Sequence, residues 1–228
     1  MSMIAANIST LRERISAAAQ AAQRDPASIG LLAVSKTKPA EALREAYAAG
    51  LRDFGENYLQ EALSKQLELA DLPLCWHFIG PIQSNKTRAI AENFAWVHSV
   101  DRLKIAQRLS EQRPEDLPPL NICIQVNVSG EASKSGCTPA DLPALAEAIS
   151  ALPRLELRGL MAIPEPTDDI AEQNAAFAAV STLQAQLNLP LDTLSMGMSH
   201  DLEAAIAQGA TWVRIGTALF GARDYGQP

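Results

Sequence analysis

Eight short runs of apolar and β-branched residues recur along the chain, each followed by a stretch with helical spacing, and this alternation constrains the fold more than any other feature. The runs lie near 31–35 (LLAVS), 53–55 (DFG), 75–79 (CWHFI), 96–100 (WVHSV), 121–127 (NICIQVN), 156–162 (ELRGLMA), 192–196 (DTLSM) and 212–215 (WVRI). Strands alternating with helices predict a parallel sheet covered by helices, and eight strands is the number that closes a (β/α)8 TIM barrel. A doubly wound open sheet shows the same alternation but usually has fewer strands, so the α/β barrel is the expectation. A length of 228 residues suits one such domain over 1–228, and no repeat, low-complexity tract or Gly/Ser linker divides it.

Helix punctuation supports the alternation. Pro39 starts and Gly50 ends PAEALREAYAAG, Thr138 with Pro139 reads as an N-cap and first-turn pair, and Asp101 and Ser199 are further N-cap candidates. Too few residues follow the eighth run for a long last helix. An amphipathic N-terminal helix within 1–25, with Ile4, Ile8, Leu11 and Ile15 at helical spacing, is expected to cover that gap or the barrel floor. The stretch SGEASKSG at 129–136 follows the fifth run, which in a barrel places it at the catalytic face as a candidate lid.

Composition narrows the partners. A net charge of -7 with no basic run argues against nucleic acid or an anionic membrane surface. Arg12, Glu13 and Arg14 interrupt any signal-peptide-like hydrophobic run, and no segment is long enough to span a bilayer. Cys75, Cys123 and Cys137 are an odd, widely spaced set rather than a disulfide framework, so a cytoplasmic location is expected.

In a (β/α)8 barrel the site is built at the carboxyl ends of the strands, so the residues that follow each run carry the functional information. Lys36 follows the first run, Glu56 and Asn57 the second, Gly80 the third and Asn127 the fifth; the seventh enters SMGMS (195–199) and the eighth RIGTALFG (214–221). Phosphate in such barrels tends to sit on the loops after strands seven and eight. Ser199 can offer a hydroxyl there, and Gly216 and Thr217 allow close backbone approach. Taken singly, each has a plain reading as a cap or a turn; their joint occurrence at both loops favours phosphate. Lys36, at a strand end beside Lys38, would have its amine pKa lowered by desolvation and by the neighbouring charge, as a Schiff-base lysine requires. A strand-end lysine is more commonly just solvated, so position alone leaves the choice open.

The motifs AVSKTKP (33–39), FGENYLQE (54–61), WHFIGPIQSNK (76–86), LRGLMAIP (157–164), LSMGMSHDLEAAI and VRIGTALFG resemble, in order and over essentially the whole chain, the pyridoxal phosphate homeostasis proteins. These are barrel-only relatives of the alanine racemase N-terminal domain. The resemblance implies pyridoxal 5'-phosphate (PLP) as cofactor, bound as a Schiff base on Lys36. It further implies a phosphate cradle of Ser199, Gly216 and Thr217, Asn57 beside the cofactor, Arg214 facing the pyridine nitrogen, and Met161 or Ile163 packed near the ring. None of these positions departs from the pattern.

A permanently charged guanidinium at the pyridine nitrogen disfavours ring protonation and weakens the ring as an electron sink. A second domain to supply an opposing acid/base is not expected after the barrel, so the resemblance implies a non-catalytic protein that buffers or delivers PLP, with no catalytic residue. Its partners would be PLP-dependent apoenzymes or PLP-producing enzymes, and a monomer is expected. A PLP-dependent amino-acid racemase is the alternative; it would need a second acid/base such as Tyr58, which more simply packs on the barrel wall, since Tyr47 lies in a helix and Tyr225 in the tail. A Schiff-base aldolase for a sugar phosphate is a third reading, separable by its lack of violet absorption. His77, His98 and His200 invite a metal reading, but the spacing of Cys75 and His77 is wrong for structural zinc and suits a core histidine beside a buried thiol, so no metal is expected. Gln83 to Lys86 read as a helix start, and Lys134, which could pass PLP to another protein, reads as a solvated surface lysine.

Overall fold

The computed structural model describes residues 1–132 and 134–222. Eight parallel strands close into a barrel in chain order: β1 (Gly30–Val34), β2 (Asp53–Glu56), β3 (Cys75–Phe78), β4 (Trp96–Val100), β5 (Leu120–Gln125), β6 (Leu155–Met161), β7 (Thr193–Ser195) and β8 (Trp212–Ile215). Each begins within two residues of its expected run, and the open-sheet alternative is excluded by the pairing of β1 with β8, from Gly30 opposite Trp212 to Ala33 opposite Ile215. A side chain at Gly30 would collide with the Trp212 ring, so the seam closes only around a glycine.

The helices are α1 (Met3–Ala21), α2 (Ala40–Ala48), α3 (Leu59–Glu68), α4 (Thr87–Asn93), α5 (Leu103–Gln112), α6 (Leu142–Ser150), α7 (Ile170–Gln186), α8 (Leu202–Ala207) and the single turn α9 (Thr217–Phe220). Outward strand residues such as Phe54, Val97, Ile122, Leu160, Val213 and Ile215 join the apolar faces of these helices in one continuous core. Of the two places expected for the N-terminal helix, the gap in the helical ring is the one it takes: α1 packs against α8, α9 and α2 through buried Ile4, Ile8, Leu11 and Ile15. Among the described residues no helix is long and apolar enough to cross a membrane.

The inward faces are the unusual part. Barrel interiors are dominated by branched apolar residues, yet here a small cluster of Trp96, Cys123 and Met161 shares the interior with buried His77, His98, Ser195 and Arg214.

Three helix starts differ from expectation. Thr138 does not cap a helix: its hydroxyl accepts from the Asp141 N–H in a turn, and α6 begins only at Leu142. The residue before α5 is Arg102 rather than Asp101, and α8 is preceded by Asp201 rather than Ser199. Side-chain turns at Thr138 and at Asp201, which accepts from the Met198 N–H, precede α6 and α8, and the three helices begin one to three residues later than expected.

Candidate functional site

A cavity of about 220 Å3 opens at the carboxyl ends of β1, β7 and β8, lined by Val34, Lys36, Lys38, Met198, Ser199, His200, Arg214, Gly216, Thr217 and Gly221. Five residues singled out from the sequence, Lys36, Ser199, Arg214, Gly216 and Thr217, thus meet in one place. Ser199, free of capping duty, accepts a hydrogen bond from the Ala218 N–H at 3.4 Å and so links the loop after β7 to α9. Its neighbour Gly197 turns the chain with φ +98°, where a Cβ would lie 2.5 Å from Ala205 Cβ. A Cβ at Gly216 would meet Val34 only at ordinary contact distance, 3.5 Å, so the protein's own packing does not demand a glycine there.

The turn that carries Lys36 is braced on both sides. Lys65, buried on α3, donates to the Ser35 carbonyl at 2.6 Å and to the carboxylates of Glu56 and Glu61 at 2.7 and 2.6 Å. The same Glu61 oxygen accepts from the Thr37 N–H, which fixes Thr37 in the left-handed region at φ 65°. Burial pushes the Glu56 carboxyl above the usual range, opposed by Lys65 and by the Ser35 hydroxyl that donates to it. The lysine is half-buried and held between two anchored peptide groups rather than on a free loop. Lys38 donates to the carbonyls of Ala222 and Gly221 at 3.0 and 3.4 Å, tying the last described residues to the cavity rim.

Arg214 points inward from β8 and is 4% exposed. Its Nη1 donates to Ser195 Oγ at 2.9 Å and its Nη2 to the Ala162 carbonyl at 3.1 Å. Burial lowers its pKa to about 10, partly offset by Asp201, so the guanidinium stays charged at neutral pH. Behind it Ser195 Oγ lies 2.8 Å from His98 Nδ1, His98 Nε2 lies 2.9 Å from His77 Nδ1, and His77 Nε2 lies 2.9 Å from Asp53 Oδ1. Both imidazoles are fully buried, and desolvation lowers both pKa values, that of His98 well below its ordinary value with help from His77 and Arg214.

Asp53, Cys75 and His77 form a cluster that a metal could in principle bridge. Each member is otherwise accounted for: His77 is hydrogen-bonded through both nitrogens, and burial, then Asp53, pushes the Cys75 thiol up to about 12. His77 is indeed a core histidine, whereas Cys75 is only half-buried.

The remaining sequence candidates lie outside the cavity lining. Asn57 is half-buried and its Oδ1 is a buried acceptor without a protein partner. Met161 is fully buried in the barrel interior beside Trp96 and Cys123, while Ile163 is 44% exposed. Tyr58 does not pack on the barrel wall as expected; it is 55% exposed, because it immediately precedes α3 with its ring on the solvent side. Tyr225 lies outside the described residues. Ser84–Lys86 form a 3-10 turn leading into α4, as a helix start should. Lys134 is not freely solvated: its ammonium is buried 3.7 Å from Glu131, in a loop pinned by Asn127 Nδ2 donating to the Glu131 carbonyl at 2.7 Å. Val34 was missed from sequence, Met198 entered only as part of SMGMS, and His200 was weighed only as a metal ligand. Met198 and His200 flank Ser199 and could have been taken with it, whereas an apolar strand residue such as Val34 carries no chemical signal.

Residues 4–224 match the family model for the alanine racemase N-terminal domain. A protein of Pseudomonas aeruginosa named pyridoxal phosphate homeostasis protein is 78% identical over all of this chain and 99% of its own length. One of the same name from Escherichia coli K12 is 55% identical over 99% of each. Among solved structures, PipY of Synechococcus elongatus with PLP bound is 45% identical, with a TM-score of 0.85 over 96% of this chain and all of that one. Alanine racemase of Corynebacterium glutamicum shares the fold at a TM-score of 0.68 and 19% identity, covering 99% of this chain and 62% of that one.

Proposed function

The chain belongs to the alanine racemase N-terminal-domain family, among the pyridoxal phosphate homeostasis proteins, and from that premise we propose that it binds PLP and buffers or delivers it, maintaining vitamin B6 and amino-acid balance. The observation that carries the reading is the convergence of Lys36, Ser199, Arg214, Gly216 and Thr217 on a single cavity. Lys36 would hold the aldehyde as a Schiff base, and Ser199, Gly216 and Thr217 would take the phosphate. Arg214 would face the pyridine nitrogen, with Met161 behind the ring. Two features fit a bound group of this kind: Asn57 Oδ1, outside the cavity lining, is a buried acceptor without a protein partner, and Gly216 lines the cavity although its protein neighbours, at ordinary contact distance from a Cβ, do not require a glycine. Bound PLP supplies a reactive aldehyde and an electron-accepting ring.

We read the protein's side chains as suited to holding such a group rather than to processing it. A racemase needs two acid/base groups on opposite faces of the ring, and the described cavity lining offers Lys36, Lys38 and His200 but no tyrosine. We therefore read the protein as a non-catalytic carrier, monomeric and cytoplasmic, whose partners are apoenzymes that need PLP or enzymes that make it.

The test is an absorption spectrum of the wild-type protein and of Lys36→Ala after incubation with PLP and dialysis, followed by borohydride reduction and mass mapping. Wild type should retain a violet band and carry the reduced adduct on Lys36, with no interconversion of D- and L-alanine. A band without the Lys36 adduct overturns the lysine assignment, turnover makes the protein an enzyme, and no band removes PLP.

A further inference from the structure

The buried hydrogen-bond chain from Arg214 to Asp53 has a direction, and the direction follows from its last member. Asp53 starts β2 at the end of the barrel opposite the cavity, its side chain partly exposed on a separate floor cavity shared with Gly30 and Trp212. A carboxylate can only accept, so His77 Nε2 must donate to it across 2.9 Å. Burial keeps both histidines neutral, and a neutral imidazole with one nitrogen donating must accept at the other. His77 Nδ1 therefore accepts from His98 Nε2, His98 Nδ1 accepts from the Ser195 hydroxyl, and the Ser195 lone pair is left to accept from Arg214 Nη1. Every proton in the chain points away from the cavity.

We propose that Asp53 is a remote positioning residue for Arg214, acting through His77, His98 and Ser195 as a one-way hydrogen-bond relay across the barrel interior. Run in reverse, the relay would aim a His77 lone pair at the Asp53 carboxylate and would direct both His98 and Arg214 at Ser195 Oγ, leaving the hydroxyl proton to find another acceptor. The carboxylate prevents this, so Ser195 always offers its lone pair to the guanidinium. With Nη2 fixed on the Ala162 carbonyl, Arg214 is held at two points and presents one orientation to the cavity. His77 stacks on Trp96 with ring centroids 5.4 Å apart and an interplanar angle of 11°, and meets the edge of Trp212 at 5.1 Å, so its ring cannot swing out of line. The inference rests on the reading of Arg214 as the residue that faces the cofactor ring.

Nitrogen-15 NMR of histidine- and arginine-labelled protein reads the relay directly. In the wild type, with or without PLP, both His77 and His98 should be Nε2–H tautomers. Asp53→Leu should mix the tautomers, shift the Arg214 guanidinium resonances in the PLP-free protein, and release PLP to a hydrazine trap roughly tenfold faster, the scale set by loss of a charge-assisted hydrogen bond. Asp53→Glu keeps an acceptor-only carboxylate and should restore the tautomers, and Cys75→Ala, whose thiol lies 3.6 Å from His77 Nε2 without replacing Asp53 as its acceptor, should leave the tautomers in place. An Nδ1–H tautomer at either histidine of the wild type overturns the relay, whether or not any variant folds. So does an Asp53→Leu protein with unchanged tautomers, Arg214 resonances and release rate. If the wild type binds no PLP, the tautomers and Arg214 resonances still decide the relay, while the proposed function alone fails.

Discussion

At the scale of single residues, the most consequential side chain outside the cavity is Lys65. It is buried, yet it satisfies two carboxylates and the Ser35 carbonyl at once, and one of those carboxylates holds Thr37 in its unfavourable backbone state. Removing one partner of a buried pair costs far more than the pair itself contributes, because the other charge is left desolvated. Lys65→Met should therefore lose about 3–5 kcal/mol in urea unfolding, and Lys65→Met with Glu56→Gln should recover a large part of it. If the brace also positions Lys36, the double variant will regain stability without regaining PLP retention, since the Ser35 carbonyl stays unanchored. Full recovery of both would reduce Lys65 to a charge partner for Glu56.

Elements show what can be read from a sequence and what cannot. Strands were legible because a parallel strand covered by helices needs a short, dense apolar run, and the cavity residues on the loops after β1, β7 and β8 were legible because Lys36, Ser199, Arg214, Gly216 and Thr217 lie in ordered motifs at strand ends. Helix starts were less so, since Thr138 and Ser199 spend their capping chemistry on a turn and on a neighbouring loop, and Asp101 lies one residue ahead of the observed cap Arg102. The relay was invisible because its members come from β2, β3, β4, β7 and β8 and meet only when the barrel closes; the trace left in sequence is a single histidine inside each of two short strands, His77 and His98. A similar long-range device stitches the floor. Arg158 on β6 makes a two-pronged bond to Asp192, just before β7, at 3.0 and 2.8 Å, donates to Asn121 on β5 at 2.9 Å, and lies over the Trp96 ring. The Arg158 guanidinium holds the Asp192 carboxyl below its usual range. A carboxyl with a depressed folded pKa favours folding above its unfolded value of about 3.9 and loses that contribution as pH falls through the folded one. Asp192→Asn should therefore unfold more easily than wild type near neutrality, with the two curves converging as pH falls through the folded value. Because Asp192 is largely exposed, the gap should be small and shrink in high salt; a gap that widens in acid contradicts the pairing.

For the molecule as a whole, α1 connects the beginning of the chain to the functional end of the barrel. Asn7 donates to the Leu219 carbonyl at 2.9 Å, and Arg14 reaches both Glu203 and the Ser199 carbonyl, the latter at 3.0 Å, so the helix grips α8, α9 and the loop that lines the cavity. β8 is followed by only a four-residue helix among the described residues, which leaves the apolar flank of the barrel there to be covered by Ile4, Ile8, Leu11 and Ile15. We therefore expect α1 and barrel to unfold as one cooperative unit. Ile8 is 1% exposed, and Ile8→Ala should cost about 2–5 kcal/mol through lost burial and the cavity left behind. The loss should appear in hydrogen exchange as faster opening of α8 and α9 together with α1, and in faster PLP release. Protection lost from α1 alone, with α8 and α9 unchanged, would mean that the helix merely lies on the barrel and that the Ser199 loop keeps its shape without it.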